Sequence, residues 1–94
     1  MNVATIIRDQ IKAIDFWAFG AWGAKNLANT GSGLSFKTSG SVRWKGTVTV
    51  TLDEGKDLYI VEFSRLRKSK IIIDKFVEDV FVEDLVGVID AQVG

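Results

Sequence analysis

The residues that come nearest to chemistry by type and spacing are five carboxylates, Asp74, Glu78, Asp79, Glu83 and Asp84, and the segment Gly20-Ala-Trp-Gly-Ala-Lys25. Clustered carboxylates can offer oxygen ligands to Mg²⁺ or Ca²⁺, or act as an acid and base pair. Their spacing is not that of an EF-hand, and Asp79, Glu83 and Asp84 fall where acidic side chains favour a helix start. The glycines of the second segment would let the backbone approach a phosphate closely, with Lys25 meeting its charge. The full phosphate-loop spacing, a hydroxyl residue after the lysine and a following helix are all missing. The same Gly20 and Gly23 fit the clamping loop of a KH domain only without the helices that flank such a loop. The chain has no His and no Cys, so imidazole bases, thiol nucleophiles and the usual transition-metal ligands are absent. The expectation is a protein that is not an enzyme, with no catalytic residue, no metal and no cofactor.

Residues suited to gripping another macromolecule are better represented. Three tryptophans and six phenylalanines are a heavy aromatic load for 94 residues. Large aromatics mostly fill cores, which is the expectation for Phe36 and Phe63, whereas Trp17, Trp22 and Trp44 are the ones expected at an interface. Arg65, Arg67, Lys68 and Lys70 form the densest basic patch, and Arg43 and Lys45 join it if the two strands pair. Six cations at one end of a sheet suit salt-sensitive binding to nucleic acid or to an acidic protein surface. The same lysines would also serve to guard a sheet edge against aggregation.

Net charge is zero but unevenly spread. Residues 37–70 are basic by four and residues 71–94 acidic by five, so the acidic end either neutralises the basic strands or leaves both solvated.

The elements that must position these residues follow from periodicity. Val3, Ile6, Ile7, Ile11 and Ile14 recur at helical steps, predicting a helix over 3–14. Phe16 to Gly23 has the composition of a strand, with Gly20 and Gly23 weakening it. Asn29 to Gly33 is a turn cluster, and Leu34 to Thr38 a short strand. Val42, Trp44, Val48, Val50 and Leu52 share one parity, which predicts a half-buried strand with a wet opposite face. Asp53 to Asp57 is a link of hairpin length, and Leu58 to Arg67 returns with Tyr59, Val61 and Phe63 inward, though the opposite register stays open. Ile71 to Phe76 is a further β-prone run, and Val82, Leu85, Val86, Ile89 and Val93 predict a closing helix. Short polar links favour an antiparallel meander. The expected fold is a single α+β domain over 1–94, two-layered, with an N-terminal helix, an antiparallel sheet of four or five strands and a C-terminal helix.

No run approaches the roughly 20 apolar residues that span a bilayer. Arg8, Asp9, Gln10 and Lys12 interrupt the N-terminal apolar pattern, so neither a membrane anchor nor a secretory signal is expected.

Taken in order, Gly23-Ala-Lys-Asn-Leu27, Leu34-Ser-Phe36, Val48-Thr-Val-Thr-Leu52 and Asp57-Leu-Tyr-Ile-Val-Glu-Phe63, followed by a basic stretch and a helix, resemble a family of small uncharacterised proteins of bacteriophages, prophages and other mobile elements. The resemblance implies a setting, the cytoplasm of a bacterial host cell, rather than a reaction. It directs attention to Lys25 and Asn26, either a strand-ending turn or a recognition contact. The resulting expectation is a non-catalytic binding protein that meets a host or phage protein through an aromatic and basic surface. The alternative is nucleic-acid binding by the basic strand face. A homo-oligomer is compatible with either.

Overall fold

A computed structural model describes residues 2–94. The chain is α+β. It runs α1 (Val3–Ile14), α2 (Ala18–Ala21), β1 (Lys25–Asn29), β2 (Gly33–Lys37), β3 (Thr47–Asp53), β4 (Leu58–Arg67), β5 (Lys70–Val80), a 3-10 turn (Val82–Asp84) and α3 (Leu85–Val93). The five strands are antiparallel neighbours in sequence order, β1-β2-β3-β4-β5, as short links dictate.

One face of the sheet carries the core. Leu34 and Phe36, Val48 and Val50, and Tyr59, Val61 and Phe63 are buried at alternate positions of β2, β3 and β4, and they cluster with Ile7 and Ile11 of α1 and Leu85, Ile89 and Val93 of α3. Cross-strand pairing aligns Phe36 with Val48 and Val48 with Phe63, so one register buries all three strands on the same side. The α1 helix starts where the Asn2 carboxamide oxygen accepts the Thr5 N–H at 2.8 Å, satisfying a donor the helix cannot. Its buried stripe is Ala4, Ile7 and Ile11, while Ile6 and Ile14 lie on the exposed flank.

Two sequence expectations are corrected. Phe16–Gly23 is not a strand. The Asp15 carboxylate accepts the Trp17 N–H at 3.0 Å, one helical turn follows, and Gly23 at φ 60° ends it with its N–H on the Gly20 carbonyl. A Cβ at Gly23 would lie 2.0 Å from the Ser39 carbonyl oxygen, so the left-handed conformation and the close approach both require glycine. The first strand is instead Lys25–Asn29, an exposed edge whose residues carried no alternating pattern.

The strand expected from Val42 begins only at Thr47. Thr38 closes the preceding loop, its hydroxyl accepting the Gly46 N–H at 3.0 Å, while the N–H groups of Arg43 and Trp44 donate to the Val93 carbonyl at the end of α3. Gly46 fits because a side chain there would collide with the Ser64 carbonyl and the Trp44 ring. Val42 and Trp44 still pack on the core, so their parity reported burial without strand.

Candidate functional site

The β4–β5 hairpin carries the strongest functional candidate. Its turn is Lys68–Ser69, both left-handed at φ 49° and 65°, the geometry that matches the twist of a two-residue hairpin. Glycine or asparagine would adopt it with less strain, so a cation is held at the tip at some conformational expense. Arg67 and Lys70 pair across the turn, then Leu66 with Ile71, Arg65 with Ile72 and Ser64 with Ile73.

Alternation sorts these residues onto two faces. Leu66, Ile71, Ile73 and, beyond a bulge, Phe76 line the outer face, away from the helices; they are 75, 75, 55 and 50 % exposed. Arg65, Arg67 and Lys70 alternate onto the inner side, where the hairpin runs past the core. The hairpin is therefore an arm with one apolar face and a basic tip.

Asp74 anchors the base of this arm. It is the additional residue of the bulge between the pairs Phe63–Lys75 and Ser64–Ile73, and its side chain retains 19 % exposure. The Arg65 guanidinium donates to both carboxylate oxygens, and the Trp44 indole N–H donates to Oδ2 at 2.8 Å. These donors hold the Asp74 carboxyl below the usual carboxylate range, Arg65 contributing most, because each stabilises the charged form. Trp44 in turn packs edge-on against Phe63, ring centres 5.6 Å apart, tying the site to the core.

The remaining site residues disperse. Arg43 donates its guanidinium to the Ala91 carbonyl near the end of α3, where a cation complements the helix dipole. Lys45 is exposed beside Trp44. Trp17 is 75 % exposed at the corner between α1 and α2, edge-on to Phe16. Lys25 and Asn26 lie on β1, the sheet edge opposite the arm, with Asn26 at φ 56° beside a register irregularity. Trp22 is corrected from interface to core: it is 1 % exposed, stacked on Phe36 and donating its indole N–H to Asp90 at 3.2 Å. The structure thus brings Trp44 and Arg65 together at the base of the arm that ends in Arg67, Lys68 and Lys70, and leaves Trp17, Trp22, Lys25, Asn26 and Arg43 apart from them.

The segment 20–25 passes from helix into strand, the reverse of the strand-to-helix order of a phosphate loop. Asp79 does not open a helix. It sits in β5 at φ 54° and pairs with Lys56 at 3.1 Å, which raises the lysine above its ordinary value, the hydrogen bond to Asp79 contributing most. Glu83 and Asp84 do lie in the turn that opens α3. Among the described residues no group of three or more His, Cys, Asp and Glu side chains is placed to hold a metal, and no helix is long and apolar enough to cross a membrane.

Sequence reasoning missed Asp74 as an anchor and the outward turn of Leu66, Ile71, Ile73 and Phe76. The signal available was the change along β4 of the inward positions from apolar Tyr59, Val61 and Phe63 to charged Arg65 and Arg67, which leaves Leu66 apolar on the opposite parity. Comparison with protein-family models, with curated proteins and with solved structures finds no match.

Proposed function

We propose that this chain is a small non-catalytic binding protein that engages a protein partner through the β4–β5 arm. The observation carrying the reading is the outer strip of Leu66, Ile71, Ile73 and Phe76, contiguous along one face and beside the basic tip of Arg67, Lys68 and Lys70. Scattered apolar residues on a surface need no explanation, but a row of large ones on a projecting hairpin suits an apolar contact rimmed by charge. The setting that accompanies this reading, from the family resemblance, is a host or phage partner met in the cytoplasm of a bacterial cell. Capture from bacterial lysate with the wild-type chain and with the double variant Leu66→Asp/Ile71→Asp tests it. Both substitutions are at exposed positions, so the fold should persist while a stoichiometric partner is lost. Equal recovery by both proteins would sink the proposal.

A second reading, nucleic-acid binding, draws on the tip itself: Arg67, Lys68 and Lys70 form none of the ion pairs found among the described residues, and a two-stranded ribbon fits a major groove. Three phosphate contacts would give a slope of log affinity on log salt of about −3 for duplex DNA. A salt-independent signal, or none at low salt, removes this reading.

A further inference from the structure

The charges of this chain are separated in space as well as in sequence. β5 starts beside Arg67, Lys68 and Lys70 and ends among Glu78, Asp79, Glu83 and Asp84. Its 11 residues, at about 3.3 Å each, hold the two groups roughly 30 Å apart. The ion pairs within the chain, Arg65–Asp74 and Lys56–Asp79 among them, leave the cations of the tip and the carboxylates of Glu78, Glu83 and Asp84 without each other. β5 is also an edge strand, paired with β4 on one side only. A long edge presents a row of backbone donors and acceptors to any incoming strand.

We propose that two copies of this chain pair through β5, antiparallel, about a two-fold axis between Asp74 and Lys75, to form one ten-stranded sheet. Antiparallel pairing lays the basic start of each β5 along the acidic end of the other, and symmetry makes the contact twice. The register follows from the bulge. Residues opposite one another in an antiparallel pair share a face, and in an unbroken strand residues 72 and 77 would point to opposite faces. Here Ile72 pairs with Arg65 and Val77 with Val61, both on the inner side of β4, whereas Ile73 pairs with Ser64 and Phe76 with Glu62 on the outer side. An axis between Asp74 and Lys75 therefore sets Ile73 against Phe76 of the second copy and Ile72 against its Val77. It also places Asp74 opposite Lys75 and, beyond the second irregularity between Val77 and Val80, sets Lys70 alongside Glu78 and Asp79. A bulge ordinarily protects an edge by misaligning it; at this position its additional residue is what matches the faces of the two copies. The open groove between β5 and α3, floored by Val77, Val88 and Ala91, lies at the same edge. A Cβ at Gly87 beside it would meet nothing within 4 Å, which leaves room for the second copy's helix.

The pairing goes beyond the partner reading and does not rest on it, since the outer faces of both arms remain open. Light scattering and sedimentation across the micromolar range test it. The expected mass is twice the 10.4 kDa of the chain, with dissociation favoured as salt rises. Lys70→Glu or Glu78→Lys alone should weaken the dimer on the order of tenfold, each change counting twice by symmetry. Combining them restores the attraction, and Ile73→Lys separates the copies while the far-ultraviolet circular dichroism spectrum stays that of the wild type, its melt then being independent of protein concentration. A monomer at every concentration overturns the proposal, as does a dimer indifferent to salt and to all these substitutions.

Discussion

Truncating each tryptophan in turn separates the ring that holds the fold from the one a partner can reach. Trp22 is 1 % exposed, stacks on Phe36 with rings 6° from parallel and centres 5.9 Å apart, and meets Phe19 edge-on. Trp22→Ala leaves a large void in a closely packed core, a change that costs about 3–5 kcal/mol. Domains of this size have about 5–14 kcal/mol in total, and each kcal/mol moves the midpoint by about 4–8 °C, so the melt should fall by about 12–40 °C. Trp22→Phe keeps an aromatic ring on Phe36 and loses the indole N–H that reaches Asp90. A lost hydrogen bond and a void of one small ring together suggest about 2 kcal/mol. Trp17 retains 75 % of its exposure. The buried quarter of a tryptophan is about 50 Å², worth at most about 1 kcal/mol. Thermal and urea unfolding followed by far-ultraviolet circular dichroism give the three values. Acrylamide should quench Trp17 and spare Trp22. If Trp17→Ala costs as much as Trp22→Ala, the helical turn at Ala18–Ala21 and the core built on it are wrong, and Phe16–Gly23 returns as a surface strand.

Further outcomes follow from backbone and charge. Gly23→Ala should destabilise by several kcal/mol, combining a left-handed backbone with a collision against the Ser39 carbonyl, whereas Gly87→Ala in the open face of α3 should stabilise by about 0.5–1 kcal/mol; chemical denaturation compares them. The folded Asp74 carboxyl is held below its ordinary value by Arg65 first and Trp44 second. Its contribution is therefore complete above the ordinary carboxylate range and lost as pH falls through the lowered folded value. Asp74→Asn should be less stable than wild type at neutral pH, with the gap closing in acid; a gap independent of pH would show that the charge is not what matters. Lys56→Ala should leave the melting temperature within about 2 °C, since an exposed ion pair is worth little.

The boundaries of α1, the link at Asp53–Asp57 and the inward set Tyr59, Val61 and Phe63 were legible because each rests on a local rule: helical spacing, turn composition, alternation. The failures at Phe16–Gly23 and Val42–Gly46 share a cause. At Val42–Gly46 the apolar parity reported burial but not conformation; at Phe16–Gly23 neither was read, since Trp22, expected at an interface, lies in the core on a helical turn. What fixes the backbone of both is distant in sequence: Ser39 against Gly23, Val93 against Arg43 and Trp44, Ser64 against Gly46. Lys25–Asn29 went unread for the opposite reason. An edge strand exposed along its whole length has no reason to alternate.

The arm was half legible, and the readable half lies in a change of pattern. Along β4 the inward positions are apolar at Tyr59, Val61 and Phe63 and then charged at Arg65 and Arg67, while Leu66, like Leu58 and Ile60 before it, is apolar on the opposite parity. The irregularity near Phe63 and Ser64 lies in β5, at Asp74, so β4 keeps its alternation and Leu66 must turn to the side away from the helices. Ile71 and Ile73 follow it there by cross-strand pairing. The switch thus marks the point at which the sheet leaves the cover of its own helices. Beyond that point an apolar side chain has no core within the chain to enter. Retaining Leu66, Ile71 and Ile73 at full size there, next to a cation held in a strained turn, is understandable if another surface covers them.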